Sequence, residues 1–219
     1  MSYLLALDQG TTSSRAIIFD EQGTVHASAQ RETQIKTPQS GWVEQDAQEI
    51  WTTQIAVVQQ AIASARLLAK DIKVIGLTNQ RETTVVWDKR SGQALAPAIV
   101  WQDRRASEWC DLLIQKKLQQ SINEKTGLRI DPYFSAGKLV WLLENIDGLR
   151  ELAEQGHVAF GTIDSWLIWN LTQGAEHVIE MSNASRTMLM NLSTQQWDEE
   201  LLSLFNIPHS VLPQIVASD

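Results

Sequence analysis

A turn of small polar residues between two apolar runs constrains the fold of this chain more than any other feature. The turn reads Asp8-Gln9-Gly10-Thr11-Thr12-Ser13-Ser14-Arg15, and the apolar runs cover residues 3–7 and 16–19. This pattern predicts a β-hairpin. Backbone N–H groups and hydroxyls in such a turn can surround a phosphate, and Asp8 can hold a hydrated Mg²⁺, which prefers oxygen ligands. An ordinary polar turn is the alternative interpretation.

The predicted strands indicate a mixed α/β sheet. Three strands are predicted over residues 3–8, 15–20 and 24–33, and the short turns between them are typical of an antiparallel meander. Residues 73–78 form a short apolar run, which we expect to be a strand buried on both faces, and residues 83–88 form another. A meander that leads through a helix to a parallel strand is an α/β architecture.

Capping residues and apolar spacing predict the helices. Asp46 is expected to cap the first helix, with Glu49 completing a capping box, and the helical spacing continues to about Leu68. The other helices are predicted over residues 104–120, from a cap at Ser135 to Asn145, and from a cap at Asp164 to Leu171.

The amino-acid composition argues against several classes of function. The 26 acidic residues outnumber the 18 basic ones, so the net charge is −8 and nucleic acid is not an expected partner. The single cysteine, Cys110, permits no internal disulfide and lies in an amphipathic stretch, which predicts a packed thiol rather than a nucleophile. The four histidines lack metal-ligand spacing. No membrane span and no export signal are visible. We therefore expect a cytoplasmic protein.

Arg81 and Glu82 directly follow the end of the strand predicted at residues 73–78. Ligands of open α/β sheets gather beyond the carboxyl ends of strands, and an adjacent donor and acceptor can bind neighbouring hydroxyls of a small polyol. Adjacent residues of an extended chain point in opposite directions, so both can reach one ligand only if the chain turns there. A solvated surface ion pair is the alternative.

Two aromatic residues are further candidates for a polyol site. Trp101 follows an apolar run and can lie against the carbon edge of a polyol, with Asp103 and Arg105 paired to brace it. Tyr133 precedes a predicted helix, and its hydroxyl can reach a ligand. Both aromatic rings are equally compatible with simple packing. The polar cluster Asn183-Ala184-Ser185-Arg186-Thr187 has no role that its spacing identifies.

The two commonest phosphate-binding loops, G-x-G-x-x-G and G-x-x-x-x-G-K-[ST], do not occur in the sequence. Six other segments are informative together: residues 7–15, Gly41-Trp42-Val43-Glu44, Thr78-Asn79-Gln80-Arg81-Glu82-Thr83, Val100-Trp101-Gln102, Gly127-Leu128 with Asp131-Pro132-Tyr133-Phe134-Ser135, and residues 183–187. In this order, along essentially the whole chain, they resemble the FGGY carbohydrate kinases, and among them those that act on glycerol.

The resemblance implies a ribonuclease H-like fold of the actin and hexokinase type and the transfer of phosphate from ATP to glycerol, giving sn-glycerol 3-phosphate and ADP. It also implies roles for the candidate residues. Thr11, Thr12 and Ser13 would surround the ATP phosphates, Arg15 would reach the nucleotide charge and Asp8 would place Mg²⁺. Arg81, Glu82 and Tyr133 would bind the glycerol hydroxyls, with Trp101 against the carbon face.

Members of the family are about twice this length, and their catalytic aspartate lies in a Gly-Asp-Gln segment. That segment does not occur in the sequence. We therefore expect residues 1–219 to be the N-terminal substrate- and phosphate-binding domain, with the base beyond Asp219, the C-terminal ATP-binding domain absent and the isolated fragment inactive. The full-length protein is expected to be a homo-oligomer.

Two other functions are compatible with these residues. One is a kinase of the same family that acts on a different sugar or polyol. The other is a non-catalytic, actin-like binding module, because the expected base is not in this sequence.

Overall fold

The computed structural model describes residues 2–218, which divide into two compact units. Unit 1 contains the residues up to Ile35 together with Gln45–Gln80, and unit 2 contains Lys36–Glu44 and the residues from Arg81 onward. The strands are β1 Tyr3–Gln9, β2 Ser13–Asp20, β3 Val25–Glu32, β4 Glu44–Gln45, β5 Ile72–Asn79, β6 Val85–Asp88, β7 Ala98–Ile99, β8 Val158–Gly161, β9 Val178–Glu180, β10 Met190–Asn191, β11 Gln196–Trp197 and β12 Gln214–Val216. The α-helices are α1 Ala47–Ser64, α2 Ser107–Gln115, α3 Gln119–Thr126, α4 Ser135–Asn145, α5 Leu149–Glu154, α6 Ile163–Leu171, α7 Met181–Ala184 and α8 Glu199–Phe205, with short 3₁₀ helices at Ala69–Asp71 and His209–Val211.

Unit 1 is built on a four-stranded mixed sheet with the strand order β3-β2-β1-β5. Antiparallel pairing of β1 with β2 and of β2 with β3 forms the predicted meander, and β5 pairs in parallel with β1. Helix α1 packs against β2 and β3. Alternate residues on the helix side of the sheet, including Leu5, Leu7 and Ile18, are buried, as a strand with one covered face requires. The expected mixed sheet is therefore confirmed.

Helix α1 begins where the sequence predicts and ends earlier. The Asp46 carboxylate accepts hydrogen bonds from the N–H groups of Gln48 and Glu49, which confirms the cap. The predicted capping box is wrong, because the Glu49 carboxylate accepts from the Gln34 N–H at 3.2 Å and not from the Asp46 N–H. The predicted extension to Leu68 is wrong, because Arg66 adopts a left-handed backbone with φ 56° and stops the helix.

The prediction that residues 73–78 are buried on both faces is wrong. Val74 and Ile75 lie on opposite faces of β5 and are 57 and 51 % exposed, because β5 lies at the edge of the sheet, beyond the strands that α1 covers. Val74 lies on the face opposite α1. On that face, cross-strand pairing aligns one residue from each strand. We call these four side chains the apolar row: Val25, Phe19, Leu4 and Val74.

In unit 2, β6 pairs antiparallel with β8 in a sheet of its own, and both strands are fully buried. The apolar core surrounds α4, whose Leu139 and Leu142 pack in one cluster with residues such as Ile122 and Phe160. Trp87 and Trp166 are completely buried, with ring centroids 5.4 Å apart. These two tryptophans therefore act as core residues.

Three local predictions in unit 2 are corrected. The single helix over residues 104–120 is two helices, α2 and α3, because Lys117 adopts φ 60° between them. Ser135 starts α4 but does not cap it; its hydroxyl donates to the Glu82 carbonyl at 3.2 Å. Asp164 lies inside the first turn of α6, where Thr162 is the cap residue, and its carboxylate accepts from Thr162 Oγ1 and the Glu180 N–H.

The cysteine prediction is confirmed. Cys110 is buried, and burial raises the pKa of its thiol to about 12, so it is not a nucleophile at neutral pH.

Within residues 2–218, we find no helix with the length and apolar character that a membrane crossing requires.

Candidate functional site

In unit 1, the carbonyl oxygens of residues 10–13, at the turn between β1 and β2, are all bonded to protein donors. Carbonyls that already accept a hydrogen bond repel an anion less, which suits the approach of a phosphate to the turn. The hydrogen bonds are Gln9 Nε2 to Gly10 O at 2.9 Å, Gln45 Nε2 to Thr11 O at 2.8 Å, Thr33 N to Thr12 O at 3.0 Å and Gly10 N to Ser13 O at 2.9 Å.

Three buried glutamines support this turn. Gln80 Nε2 donates to Gln9 Oε1 at 3.1 Å and to Gln45 Oε1 at 2.8 Å, and the Gln80 N–H donates to the Gln9 carbonyl. All three side chains are buried and uncharged. We call Gln9, Gln45 and Gln80 the amide network. No local signal in the sequence indicates this network, apart from the position of glutamines near the ends of predicted strands and helices.

The predicted phosphate-binding residues lie at the surface of unit 1. Thr12 is exposed, whereas Thr11 and Ser13 are half-buried. A hydrogen bond from Arg15 Nε to Gln30 Oε1 at 3.0 Å holds the Arg15 side chain in place. An open groove of about 320 Å³ beside the turn is lined by Thr12, Ser13, Gln30, Glu32, Thr33 and Ile35.

Asp8 lies near the carboxyl end of β1, between its register partners Arg15 on β2 and Thr78 on β5. Its half-buried carboxylate makes no ion pair or hydrogen bond within residues 2–218. No cluster of three or more His, Cys, Asp or Glu residues forms a metal cage in the described part of the chain. One carboxylate fits Mg²⁺, which keeps most of its waters and binds few protein ligands.

In unit 2, Glu82 occupies the turn that the polyol hypothesis required. Its backbone is left-handed at φ 64°, which is uncommon for a residue with a side chain. The hydroxyls of Ser135 and Thr84 both donate to its carbonyl at 3.2 Å and so hold this conformation. The Glu82 carboxylate is buried and accepts from Arg186 Nε at 2.6 Å.

Three of the four predicted substrate residues lie in one cluster, in which Trp101 contacts Tyr133 directly and Glu82 is connected to Tyr133 through Arg186. The Trp101 and Tyr133 rings meet edge to face with centroids 5.7 Å apart. The guanidinium of Arg186, which pairs with Glu82, also lies 5.7 Å from the Tyr133 ring centroid. The fourth residue, Arg81, is exposed and makes no ion pair within the described residues.

Lys138 is a fully buried cation near this cluster that the sequence did not indicate. Its ammonium donates to the carbonyl oxygens of Pro132, Tyr133 and Phe134 at 3.0, 2.6 and 3.3 Å. Burial lowers the pKa of Lys138 to about 7, although the neighbouring carboxylates oppose this shift. The lysine thus ties the loop that carries Tyr133 to the first turn of α4.

The predicted pairing of Asp103 with Arg105 is confirmed. Arg105 Nε and Nη2 donate to the two Asp103 oxygens at 3.0 and 2.9 Å, and Nη2 also donates to Glu44 at 2.8 Å. The guanidinium lies 3.8 Å from the Trp42 ring centroid and 4.6 Å from that of Trp141. Its side chain is almost fully buried, so both acids are neutralised inside the protein.

Comparison with known proteins agrees with this architecture. The FGGY family of carbohydrate kinases, N-terminal domain, matches residues 3–219. The chain is 78 % identical, over its whole length, to a glycerol kinase of Acinetobacter baylyi, of which it covers 44 %. The crystal structure of Plasmodium falciparum glycerol kinase with ADP matches with a TM-score of 0.92 and 37 % identity, over 98 % of this chain and 43 % of that one. Gluconate kinase from Lactobacillus acidophilus matches with a TM-score of 0.85 and 25 % identity, over 98 % of this chain and 42 % of that one. The chain therefore spans less than half the length of these relatives, and it belongs to the FGGY family of carbohydrate kinases.

Proposed function

We propose that the protein containing this chain phosphorylates glycerol at the expense of ATP, giving sn-glycerol 3-phosphate and ADP. The observation that carries this proposal is the contact cluster of Glu82, Trp101 and Tyr133 in unit 2. The high identity to a protein named glycerol kinase supports the same substrate. A small uncharged triol must be recognised by hydrogen bonds, and these residue types supply them.

Each side chain at the polyol site has a distinct part in this proposal. The Glu82 carboxylate accepts hydrogen bonds from glycerol hydroxyls, and Arg81 and the Tyr133 hydroxyl contribute further polar contacts. Trp101 lies against the carbon chain. Because Glu82 is already fixed, binding requires little reorganisation of the protein.

The phosphate side is proposed at the turn of unit 1. Thr11, Thr12 and Ser13 bind the ATP phosphates, Arg15 offsets their charge, and Asp8 holds Mg²⁺ through its waters. Bound Mg²⁺ neutralises charge on the phosphates. The chain supplies positioning and charge, and the group that accepts the glycerol proton is expected outside residues 1–219.

The same proposal covers the whole protein. We infer that residues 1–219 act as its N-terminal substrate- and phosphate-binding domain, and that this fragment alone has no kinase activity. We further propose that the full-length protein works in the cytoplasm as a homo-oligomer.

Steady-state kinetics of the full-length protein tests the substrate. We expect glycerol to be preferred over xylulose and gluconate by a factor on the order of 10³ or more in kcat/KM, because a site built to hydrogen-bond one polyol discriminates strongly. Calorimetry of the 219-residue chain should detect glycerol binding without turnover. A higher kcat/KM for xylulose or gluconate would favour the second candidate, a kinase for another sugar, which the similarity to gluconate kinase supports. Binding of neither glycerol nor ATP would favour a non-catalytic module.

A further inference from the structure

We propose that Arg186 is a positioning residue of the polyol site, which holds the Glu82 carboxylate so that one of its oxygens accepts a glycerol hydroxyl. The proposal rests on the glycerol kinase function argued above. It assigns a role to the polar cluster at residues 183–187, whose spacing in the sequence identified none.

The contact itself is asymmetric. Arg186 Nε donates to Glu82 Oε1 at 2.6 Å, and Glu82 Oε2 has no hydrogen-bond donor within residues 2–218. A charge-assisted bond of this length is among the stronger hydrogen bonds in proteins. One carboxylate oxygen is therefore anchored, while the other keeps its full capacity to accept a hydroxyl.

Burial explains why Glu82 needs this partner. The Glu82 side chain is 3 % exposed and the Arg186 side chain is 29 % exposed, so the carboxylate lies deeper than its cation. A buried carboxylate needs a cationic partner, because removing its charge from water is costly. Arg186 supplies that partner and so sets the orientation of Glu82.

The same guanidinium lies against the loop that carries Tyr133. It is 4.9 Å from the Phe134 ring centroid and 5.7 Å from that of Tyr133, within the range of cation–π attraction. The segment around Arg186 is tied to the start of α4, because the Ala136 N–H donates to the Thr187 carbonyl at 2.8 Å. Arg186 thus sets the position of Glu82 relative to Tyr133.

A double-mutant cycle in the full-length kinase tests this role. We expect Arg186→Met to raise the KM for glycerol on the order of 10- to 100-fold, with a smaller change in kcat and in the KM for ATP. Glu82→Gln should raise the glycerol KM by a similar factor. Because Arg186 acts through Glu82, adding Arg186→Met to Glu82→Gln should change KM by less than about threefold.

The controls separate positioning from folding. Arg90→Met removes another arginine of unit 2, 64 % exposed and paired with Asp88, and should leave the glycerol KM unchanged. Arg186→Lys, which keeps the charge, should recover part of the lost affinity and serves as the test if Arg186→Met does not fold. Additive effects in the cycle, or an unchanged glycerol KM in the Arg186 variants, would overturn the proposal. A wild-type enzyme that ignores glycerol would instead overturn the proposed function.

Discussion

The two candidate ligand sites are stabilised by opposite kinds of interaction. Behind the phosphate turn of unit 1 lies the amide network, which is buried and carries no charge. Around the polyol cluster of unit 2, buried carboxylates are paired with arginines, as in Glu82 with Arg186 and Asp103 with Arg105. Under the proposed function, the first site receives an anion and the second a neutral triol. The buried residues behind a site are therefore neutral where the proposed ligand is charged, and charged where the proposed ligand is neutral.

Substitutions at the two sites should cost different amounts of stability, because neutral hydrogen bonds support one site and ion pairs support the other. A neutral hydrogen bond contributes about 1 kcal/mol, and leaving one buried partner unsatisfied costs about 1–3 kcal/mol. Removing one partner of a buried ion pair costs about 3–5 kcal/mol, because the remaining charge is stranded. Substitutions in the two units therefore test the comparison directly.

The largest loss is expected from Arg105→Leu. This change strands the buried carboxylate of Asp103 and that of Glu44, and it should lower the free energy of unfolding by about 3–5 kcal/mol in urea titrations. Hydrogen exchange should also accelerate at the Val43 amide, which donates to Asp103 at 2.6 Å. The matched control is Arg90→Leu, which removes an arginine that is 64 % exposed and whose partner Asp88 keeps two backbone N–H donors, and it should cost less than about 1 kcal/mol. Equal losses in the two variants would remove the distinction.

Lys138→Met should change how stability depends on pH. The pKa of Lys138 is lowered by burial from 10.5 to about 7, so the unfolded chain binds more protons between those values. The wild-type free energy of unfolding therefore gains from this group as pH rises through that window, by at most about 1.4 kcal/mol per pH unit. Lys138→Met should lack this gain.

Urea titrations from pH 7 to pH 10 measure the difference in slope between wild type and Lys138→Met. The carboxylates that act on Lys138 are those of Asp103, Glu82 and Asp131, and all remain in the variant. Lys73→Met, at an exposed lysine of unit 1, controls for the loss of a positive charge. Parallel curves for wild type and Lys138→Met would contradict the expectation.

Gln45→Leu tests the amide network and should have a smaller effect. It removes the bond to the Thr11 carbonyl and one acceptor for Gln80, at a cost of about 1–3 kcal/mol in the free energy of unfolding. Gln54→Leu is the matched control, because Gln54 is equally buried in unit 1 but makes one hydrogen bond, from its Nε2 to the Arg15 carbonyl at 3.0 Å, and its Oε1 has no partner. We expect the control to cost less than Gln45→Leu, and the reverse order would show that the network does not support the turn.

The smallest effect is expected from Asp8→Asn. Its half-buried carboxylate makes no ion pair in the part of the chain described, so the free energy of unfolding should change by less than about 0.5 kcal/mol in thermal or urea unfolding. A loss above 1 kcal/mol would assign Asp8 a structural role and weaken its proposed part in holding Mg²⁺.

The sequence predicted the N-terminal meander and the start of α1 because these depend on local signals. Alternating apolar residues define β1 and β2, and Asp46 has the side chain that a cap requires. The break at Lys117 was missed because lysine is a good helix former, and nothing local indicates a left-handed residue there. The exposure of Val74 was missed because an apolar run does not show whether its strand lies at a sheet edge.

The residues of the candidate site could be predicted from the sequence, but the interactions that hold their side chains in place could not. Glu82, Trp101 and Tyr133 were named from residue type and strand ends, and the structure brings them into one cluster. Their roles in binding, and the extent of the domain, remain predictions. Arg186 was not identified as a partner because 104 positions separate it from Glu82, and the pairing is created only by the tertiary fold.

The apolar row has a practical consequence for handling this chain. Its Val25, Leu4 and Val74 side chains are 55, 40 and 57 % exposed, and pairing places them side by side with Phe19 across all four strands of unit 1. Contiguous apolar surface of this kind attracts other apolar surfaces. A purified sample should therefore bind hydrophobic dyes, adhere to phenyl resins and associate with itself as its concentration rises. A charged substitution at Val74 offers a direct way to keep such a sample dispersed.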